Sequence, residues 1–260
     1  IKLLRSRSEE NGFYSTAVEK ALNNKKKFNN FKSDHFYKIV LEHVNYSQGL
    51  GYLNIINRDS NLLNNLDKFL INDEIGNPKK YYYDELKTKI SPTTLRYIKV
   101  ASDIKKIFKD EITNIAEIGC GYGGQYLILD QVMKINHYTL MDLYNVNKLI
   151  EKYLEHHLLN SSYETKTINQ LKSNKQFDLV ISNYAFSELP AHTQISYIKK
   201  ILLKSKNGYL TMNSGKENSV FKNHISLEEI KSYIKGVSIL EEEPNTYEGN
   251  YIIVWGNINI

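Results

Sequence analysis

The stretch Glu117-Ile118-Gly119-Cys120-Gly121-Tyr122-Gly123-Gly124 decides the fold of this 260-residue chain. It follows a short apolar run, Asn114 to Ile118, that has the length and composition of a buried strand, and it precedes a helical pattern from Gln125 onward. Glycines at such a junction allow a tight turn and let a ligand approach the backbone near the positive end of a helix. Three of them match the spacing G-x-G-x-x-G, which is typical of nucleotide-binding turns.

An acidic residue follows the glycine turn at the end of the next predicted strand. Asp142 lies 23 residues after Gly119, within the predicted strand Tyr138 to Leu143. A carboxylate at the carboxyl end of a strand can accept both hydrogens of a ribose diol. This requirement is the same for NAD and for S-adenosylmethionine, so the spacing alone leaves both cofactors open.

Beyond residue 110, predicted strands alternate with predicted helices. After the first two strands, further strands are predicted at 163–168, 177–182, 208–213, 237–240 and 251–255. Helical patterns occupy 125–133, 146–159, 191–203 and 227–234. The alternation predicts right-handed crossovers and helices on both faces of a parallel sheet, whereas the last two strands have no helix between them. We therefore predict an α/β fold: a Rossmann-like, seven-stranded, mostly parallel sheet with an antiparallel C-terminal hairpin.

The first 90 residues have a different pattern, which is mainly helical. Apolar residues recur at helical spacing in 13–22, 36–44 and 62–70, with Gly49 and Gly51 as apparent breaks. Ser91 and Pro92 then open a further helix as its N-cap and first helical residue. We predict a helical N-terminal lid or substrate region at 1–90 and a second domain, which contains the sheet, at 91–260.

Composition narrows the class of protein. The chain has 34 Lys+Arg against 29 Asp+Glu, a formal charge of +5, and only four of its bases are Arg. That scarcity argues against a nucleic-acid partner, because duplex recognition favours Arg for bidentate contacts. The single cysteine, Cys120, allows no internal disulfide and favours a reducing, cytoplasmic location. No apolar run reaches the ~20 residues of a membrane span, and the oligomeric state stays open.

Four segments together resemble the class I S-adenosylmethionine-dependent methyltransferases. They are Glu117-Ile118-Gly119-Cys120-Gly121, Asp142, Phe177-Asp178-Leu179-Val180-Ile181-Ser182-Asn183 and Glu188-Leu189-Pro190. More narrowly, Ser91-Pro92-Thr93-Thr94-Leu95-Arg96-Tyr97 and Ser182-Asn183-Tyr184-Ala185-Phe186-Ser187-Glu188-Leu189 are similar to a family of bacterial sugar O-methyltransferases. The class resemblance covers residues 110–260, whereas the narrower one is confined to these two motifs.

The resemblance implies contacts to S-adenosyl-L-methionine. Glu117, Gly119 and Gly121 would surround the methionine part. Asp142 would bind the ribose hydroxyls, and Leu143 would lie on the adenine. The remaining assignments are Asn183 near the sulfonium and methyl path, Arg96 or Tyr97 on the methionine carboxylate, and Tyr184 and Ser187 on the acceptor.

The reaction needs a group that removes the proton of the acceptor hydroxyl. Related small-molecule O-methyltransferases often use a His a few residues after the fourth strand, where this chain has Ser187 followed by Glu188. We expect Glu188 to be the base, ahead of two other candidates, His192 and His224. The other five histidines are interpreted as structural or exposed: His35, His43, His137, His156 and His157.

No metal site is predicted. Hard divalent cations prefer clustered carboxylates, and beyond Asp142 and Glu188 the predicted strand ends carry none. The run Glu241-Glu242-Glu243 lies in the terminal hairpin and is interpreted as solvated charge.

The sequence thus predicts an S-adenosylmethionine-dependent O-methyltransferase that acts on a hydroxyl of a sugar or polysaccharide precursor, with a small-molecule or glycan acceptor. The alternatives are an NAD-dependent oxidoreductase on a Rossmann fold, a nucleic-acid methyltransferase and a non-catalytic binding protein of the same fold. The oxidoreductase explains the glycines and Asp142 but not the mid-chain motif, Glu117 or the terminal hairpin, and no Tyr-x-x-x-Lys pair follows the fourth strand.

Overall fold

The computed structural model describes residues 12–58, 60–171, 175–213 and 224–259. Its helices are α1 (Phe13–Asn23), α2 (Lys25–Phe28), α3 (His35–Val40), α4 (Tyr46–Ile56), α5 (Ser60–Leu63), α6 (Leu66–Leu70), α7 (Pro92–Ile107), α8 (Gly124–Val132), α9 (Tyr144–Leu154), α10 (Ala191–Lys200) and α11 (Leu227–Tyr233). Its strands are β1 (Tyr81–Tyr83), β2 (Thr88–Ile90), β3 (Asn114–Ile118), β4 (His137–Met141), β5 (Ser162–Lys166), β6 (Phe177–Asn183), β7 (Ser205–Met212), β8 (Ser238–Glu241) and β9 (Tyr251–Trp255). Within these ranges no helix is both long and apolar enough to cross a membrane.

A seven-stranded sheet forms the centre of the molecule, in the order β5-β4-β3-β6-β7-β9-β8. Neighbours from β5 to β7 pair in parallel, whereas β9 is antiparallel to both β7 and β8. The predicted α/β fold, with its mostly parallel sheet and antiparallel terminal hairpin, is confirmed. In a sheet of this kind the carboxyl ends of β3, β4 and β6 meet at one edge, where ligands usually bind.

Each face of the sheet buries its own apolar cluster. Along β6, Leu179 and Ile181 join the cluster on one face and Val180 joins the cluster on the other, as the two-residue period of a strand requires. Both faces are covered by helices, α10 and α11 on one side and α7, α8 and α9 on the other. This double burial explains why β3, β6 and β9 are nearly continuous apolar runs in the sequence.

The N-terminal helices belong to the same core as the sheet. Tyr37, Leu53 and Phe69 are fully buried in the cluster that also contains the apolar residues of α7, α8 and α9. Helix α4 packs along α7. The predicted boundary at residue 90 therefore does not coincide with a gap in packing, and residues 12–58 share one interior with the sheet.

A buried polar cluster fixes the start of α7. Ser91 is its N-cap and accepts a hydrogen bond from the Thr94 amide at 3.1 Å, with Pro92 in the first turn. Asp73 accepts from the Ser91 amide at 2.5 Å and from the Thr94 hydroxyl at 2.6 Å. The predicted cap is confirmed, and a carboxylate from the N-terminal region completes it.

Helix α4 was not predicted, because Gly49 and Gly51 indicate a break in the sequence. In the structure both lie inside the helix. A Cβ on Gly49 would overlap the Tyr83 hydroxyl and lie 3.0 Å from the Cβ of Pro92. Gly49 is therefore required by the close approach of β1 and α7 to the helix, not by a turn.

We predict that Gly49→Ala destabilises the protein although alanine is the better helix former. The added methyl group must displace the buried Tyr83 ring, at a cost of about 1–3 kcal/mol, which exceeds the helix-propensity gain of about 1 kcal/mol. Urea unfolding measures the change. Gly51→Ala is the control, since its Cβ would meet Pro244 at 3.1 Å, and we expect a smaller loss there. A Gly49→Ala variant as stable as the parent would contradict this packing argument.

Candidate active site

A cleft of about 1120 Å³ opens over the carboxyl ends of the parallel strands. Its floor contains the residues that end β3, β4 and β6, as the topology predicts. Eight residues expected in the site line it: Arg96, Gly119, Gly121, Asp142, Leu143, Asn183, Tyr184 and Glu188. Five other residues expected in the site are not among the described residues that line it: Tyr97, Glu117, Ser187, His192 and His224.

The glycine turn brings the backbone to the surface of the cleft. Gly119 has φ +74° and Gly121 has φ +59°, which are left-handed conformations that favour glycine. A Cβ on Gly119 would overlap the side chain of Ala185, and one on Gly121 would lie 2.9 Å from Leu41. Both glycines are therefore required by the close approach of Ala185 and Leu41 to the turn, and both also line the cleft.

The Asp142 carboxylate is fixed beside this turn. It accepts from the Gly121 amide at 3.1 Å and from the Leu143 amide at 2.8 Å, one bond to each oxygen. These two bonds hold the carboxylate in one orientation beside the turn. Asp142 and Leu143 lie side by side in the wall of the cleft.

Arg96 brings a buried cation to the cleft. The residue is only 8% exposed, and its Nε atom has no hydrogen-bond partner. The described contact of its guanidinium is a long one, 3.5 Å from Nη2 to the carbonyl of Leu41. Its guanidinium carbon lies 5.6 Å from the centre of the Tyr97 ring and 5.9 Å from that of Tyr184. Because a buried guanidinium stays charged, this arrangement favours an anionic group beside it.

Asn183 brings a buried acceptor to the same cleft. Gln125 donates its amide to the Tyr97 carbonyl at 3.1 Å, which turns the Gln125 oxygen toward Asn183. Asn183 donates its own amide to that oxygen at 3.3 Å. Its Oδ1 atom is then left buried and without a partner. Buried polar atoms are rarely unpaired, so Asn183 Oδ1 and Arg96 Nε together mark a place for a ligand with both a donor and an anion.

Glu117 lies beneath the glycine turn rather than in the cleft. It is 2% exposed, and one carboxyl oxygen accepts from the Tyr138 hydroxyl at 2.9 Å. Burial raises the pKa of Glu117 to about 8, although the hydrogen bond from Tyr138 opposes the shift. At neutral pH this side chain is therefore mostly an uncharged carboxylic acid that supports the end of β3.

The turn after β6 is strained at the residue that enters the cleft. Tyr184 has φ +68°, which is uncommon for a residue with a side chain. Its amide donates to the Thr211 carbonyl at 2.9 Å, and its hydroxyl donates to the Glu242 carboxylate. Such strain persists only where neighbouring contacts impose it, and it is frequent at functional sites.

Ser187 stabilises this turn from inside. Its hydroxyl donates to the Tyr184 carbonyl at 2.6 Å and accepts from both the amide and the side chain of Asn213 at 3.1 Å. It is 5% exposed. The structure thus gives Ser187 a role in the turn and not the expected place in the cleft wall. Glu188 does reach the cleft, where Asn213 donates to its carboxylate at 3.1 Å.

The two histidines expected near the site lie outside the cleft. His192 is exposed on the first turn of α10, with Nε2 at 3.1 Å from the Thr193 hydroxyl. His224 is half-buried beside the backbone of Ser187, and burial lowers its pKa. His43, which the sequence analysis interpreted as structural or exposed, is the histidine that lines the cleft in the described part of the chain.

The individual residues of two walls of the cleft were not predicted, although a lid or substrate region was expected at 1–90. The N-terminal wall includes Phe13, Phe36, Ile39, His43, Gln48 and Tyr52, and the C-terminal wall includes Thr246, Tyr247 and Asn250. The rings of Phe13 and Phe36 stack with centres 4.6 Å apart. Their helical spacing was visible in the sequence, but spacing does not distinguish a face that packs on the core from one that faces a ligand.

Glu242 is the exception in the acidic run that was interpreted as solvated, since Glu241 and Glu243 are exposed. It is 5% exposed and accepts from the Thr246 amide at 2.9 Å, from the Thr246 hydroxyl and from Tyr184. These bonds attach the connection between β8 and β9 to the turn after β6. The C-terminal wall of the cleft depends on this buried carboxylate.

Lys32 lies under the glycine turn. Its side chain is 1% exposed, and Nζ lies 4.0 Å from the centre of the Tyr122 ring and 4.6 Å from that of Tyr153. It donates to the Asn72 carbonyl, while the Asn72 side chain donates to the Tyr122 hydroxyl at 3.1 Å. Burial lowers the pKa of Lys32 to about 8, and nearby carboxylates oppose the shift. Because Tyr122 belongs to the glycine turn, the N-terminal region holds that turn from below.

The charges of the cleft are few. Among the described residues that line it, Arg96 is the one Lys or Arg, and Asp142 and Glu188 are the two carboxylates. Within the same ranges, no group of three or more His, Cys, Asp and Glu is placed to hold a metal ion.

Comparison with known proteins gives matches among solved structures only. No family model matches the chain, and no curated protein does. The methyltransferase domain of bacterial CtHen1 is 15% identical with a TM-score of 0.47, over 62% of this chain and 97% of that one. The mitomycin 7-O-methyltransferase MmcR is 11% identical with a TM-score of 0.46, over 63% of this chain and 56% of that one. An S-adenosylmethionine-dependent methyltransferase from Clostridium acetobutylicum is 13% identical with a TM-score of 0.46, over 62% and 90%. These values assign no activity to this chain.

We predict that Glu117→Gln flattens the pH dependence of stability. The pKa of Glu117 is raised from 4.5 to about 8 on folding, so the folded protein binds more protons than the unfolded chain between those values. The contribution of Glu117 to the free energy of unfolding is therefore fully present below pH 4.5 and is lost as pH rises through 8. The loss is on the order of a few kcal/mol. Glutamine keeps an oxygen for Tyr138 and has no charge to bury.

Urea unfolding at pH 5, 6.5 and 8 measures this difference. The advantage of Glu117→Gln over the parent should grow with pH. The control is Glu228→Gln, which removes a carboxylate that is 79% exposed. If the parent and Glu117→Gln lose stability in parallel up to pH 8, the buried acid is not the cause.

Proposed function

We propose that this protein is an S-adenosylmethionine-dependent methyltransferase that methylates a hydroxyl group. The observation that carries the proposal is the pair of buried, unpartnered atoms in the cleft, Arg96 Nε and Asn183 Oδ1. An α-amino acid has a carboxylate and an ammonium group on one carbon, which are an anion for Arg96 and a donor for Asn183. The methionine part of S-adenosylmethionine has both groups, whereas NAD has no amino-acid tail.

The other fixed groups of the cleft fit the nucleoside part. Asp142 would accept from the ribose diol, as its position at the end of β4 favours. Leu143 offers an apolar surface for the adenine, and Gly119 and Gly121 line the cleft where the part of the cofactor between its two ends would lie. When bound, the cofactor supplies a methyl group activated by a sulfonium ion. The protein orients the acceptor, excludes water and accepts a proton.

The acceptor that fits best is a sugar hydroxyl, on a small molecule or a glycan precursor. The C-terminal wall presents Tyr247 and Asn250, and Gln48 lies in the opposite wall. Tyrosine and amide side chains together provide apolar contact and hydrogen bonds, which polyhydroxylated ligands require. A single Arg in the described lining speaks against a nucleic-acid acceptor. The narrower resemblance to sugar O-methyltransferases supports the same acceptor.

Two assignments made from the sequence remain part of this proposal. Residues 1–90 would supply the acceptor side of the cleft, and residues 91–260 would bind the cofactor. Glu188, which the sequence predicts as the general base, lines the cleft and would contact the acceptor next to the strained Tyr184.

We predict that Arg96→Gln lowers the affinity for only one of two ligands that share an adenosine. S-Adenosylhomocysteine has the amino-acid tail, and 5′-methylthioadenosine lacks it. Calorimetry should show S-adenosylhomocysteine weakened by about 1.5–3 kcal/mol, the range for a hydrogen bond to a charged group, with 5′-methylthioadenosine little changed. Equal losses for both ligands would mean that Arg96 does not hold the carboxylate.

We predict the complementary pattern for Asp142→Asn. Asparagine keeps an oxygen for the Gly121 amide but replaces an acceptor of the diol with a donor. Both ligands should therefore weaken, by about 1.5–3 kcal/mol. The parent protein should be stabilised against heat by S-adenosylhomocysteine and not by NAD, since a ligand stabilises the state that it binds. Stabilisation by NAD alone would overturn the proposed function.

A further inference from the structure

We propose that His43 is the general base that takes the proton of the acceptor hydroxyl, an inference that rests on the proposed function. His43 lies on the segment between α3 and α4, far in sequence from the motifs that resemble methyltransferases. It is exposed and lines the cleft.

The segment that carries His43 is fixed directly over the cofactor turn. The carbonyl of Leu41 lies 3.5 Å from Arg96 Nη2. The Leu41 side chain lies 2.9 Å from the position of a Cβ on Gly121. The neighbours of His43 on either side, Glu42 and Val44, are both buried. His43 is thus an exposed side chain between two buried residues, on a segment whose Leu41 contacts both the turn and the cation that would hold the methionine end.

The other candidates meet the geometry less well. His192 and His224 do not line the cleft in the described residues. Glu188 does, but its carboxylate accepts from Asn213 and belongs to the turn after β6, which suits it to orient an acceptor hydroxyl. An imidazole is the side chain whose ordinary pKa lies closest to neutral pH, which is the condition for an efficient base.

The step balances with groups that the proposed function supplies. The proton of the acceptor hydroxyl moves to a ring nitrogen of His43 while the acceptor oxygen forms its bond to the methyl carbon. The electron pair of the broken carbon–sulfur bond stays on sulfur, which loses its positive charge. The imidazolium then returns its proton to water.

The charged groups of the cleft and of the His43 segment lie on five parts of the chain. Those that line the cleft are Arg96 on α7, Asp142 after β4 and Glu188 after β6, and those beneath the segment are Glu42 and Lys32. All of them are the same in complexes with S-adenosylmethionine and S-adenosylhomocysteine. The two ligands differ by one methyl group and one positive charge, so a comparison between them isolates the distance from His43 to the sulfonium.

The test is a histidine titration by NMR in each complex. Protein labelled with ¹³C at the ring Cε1 of histidine is followed from pH 5 to 9, and His43→Gln identifies the His43 resonance. If His43 faces the methyl group, the sulfonium charge disfavours the imidazolium. The His43 midpoint should then be lower with S-adenosylmethionine than with S-adenosylhomocysteine by on the order of one pH unit. His35, exposed on α3 and outside the cleft, should have equal midpoints.

Each outcome decides the matter. Equal His43 midpoints in the two complexes, or a His43 that does not titrate in this range, would overturn the assignment while leaving the proposed function intact. Failure of both ligands to bind the parent protein would instead overturn the proposed function. A His43 midpoint that moves while that of His35 does not supports the base.

Discussion

The contact between Lys32 and the ring of Tyr122 connects the two halves of this molecule. A buried ammonium group is stable only where hydrogen bonds, carboxylates or aromatic faces replace water. Lys32 finds two tyrosine rings and the Asn72 carbonyl. Since Tyr122 is part of the glycine turn, this support from the N-terminal region fixes the backbone that the proposed cofactor must touch. The turn is therefore not a property of the sheet alone.

The sheet was predictable because most of its inner strands are buried on both faces. An apolar run as short as Phe177–Asn183 indicates a buried strand. Glycines followed by a helical pattern indicate the junction after β3. Helix α4 was not predictable, because its glycines serve close packing against residues that lie dozens of positions later. Sequence periodicity describes local geometry and contains no information on which surfaces approach each other.

The residues of the candidate site were likewise predictable where local features place them, and not where tertiary contacts do. Asp142 and the glycines were expected because their task is set by strand ends, which are local features. His43 and Glu242 were missed, because one lies in a connection without periodicity and the other in a run of like charges. Their positions follow from tertiary contacts. The segment of His43 is held by the contact between Leu41 and Arg96. The Glu242 carboxylate is held by hydrogen bonds from Tyr184 and Thr246. His192 shows the reverse, since a place near a strand end in sequence did not bring its side chain to the cleft.

The shared interior also has a consequence for synthesis on the ribosome. Lys32 and Tyr153, whose side chains are hydrogen-bonded, are separated by 121 positions. At about 5–20 residues per second, the N-terminal helices emerge roughly 6–24 s before the last of their partners. During that interval, buried residues such as Tyr37 and Phe69 have no sheet to cover them. During this interval the nascent chain would expose apolar surface that chaperones can bind. The shared core would form only after the glycine turn and α9 have left the ribosome.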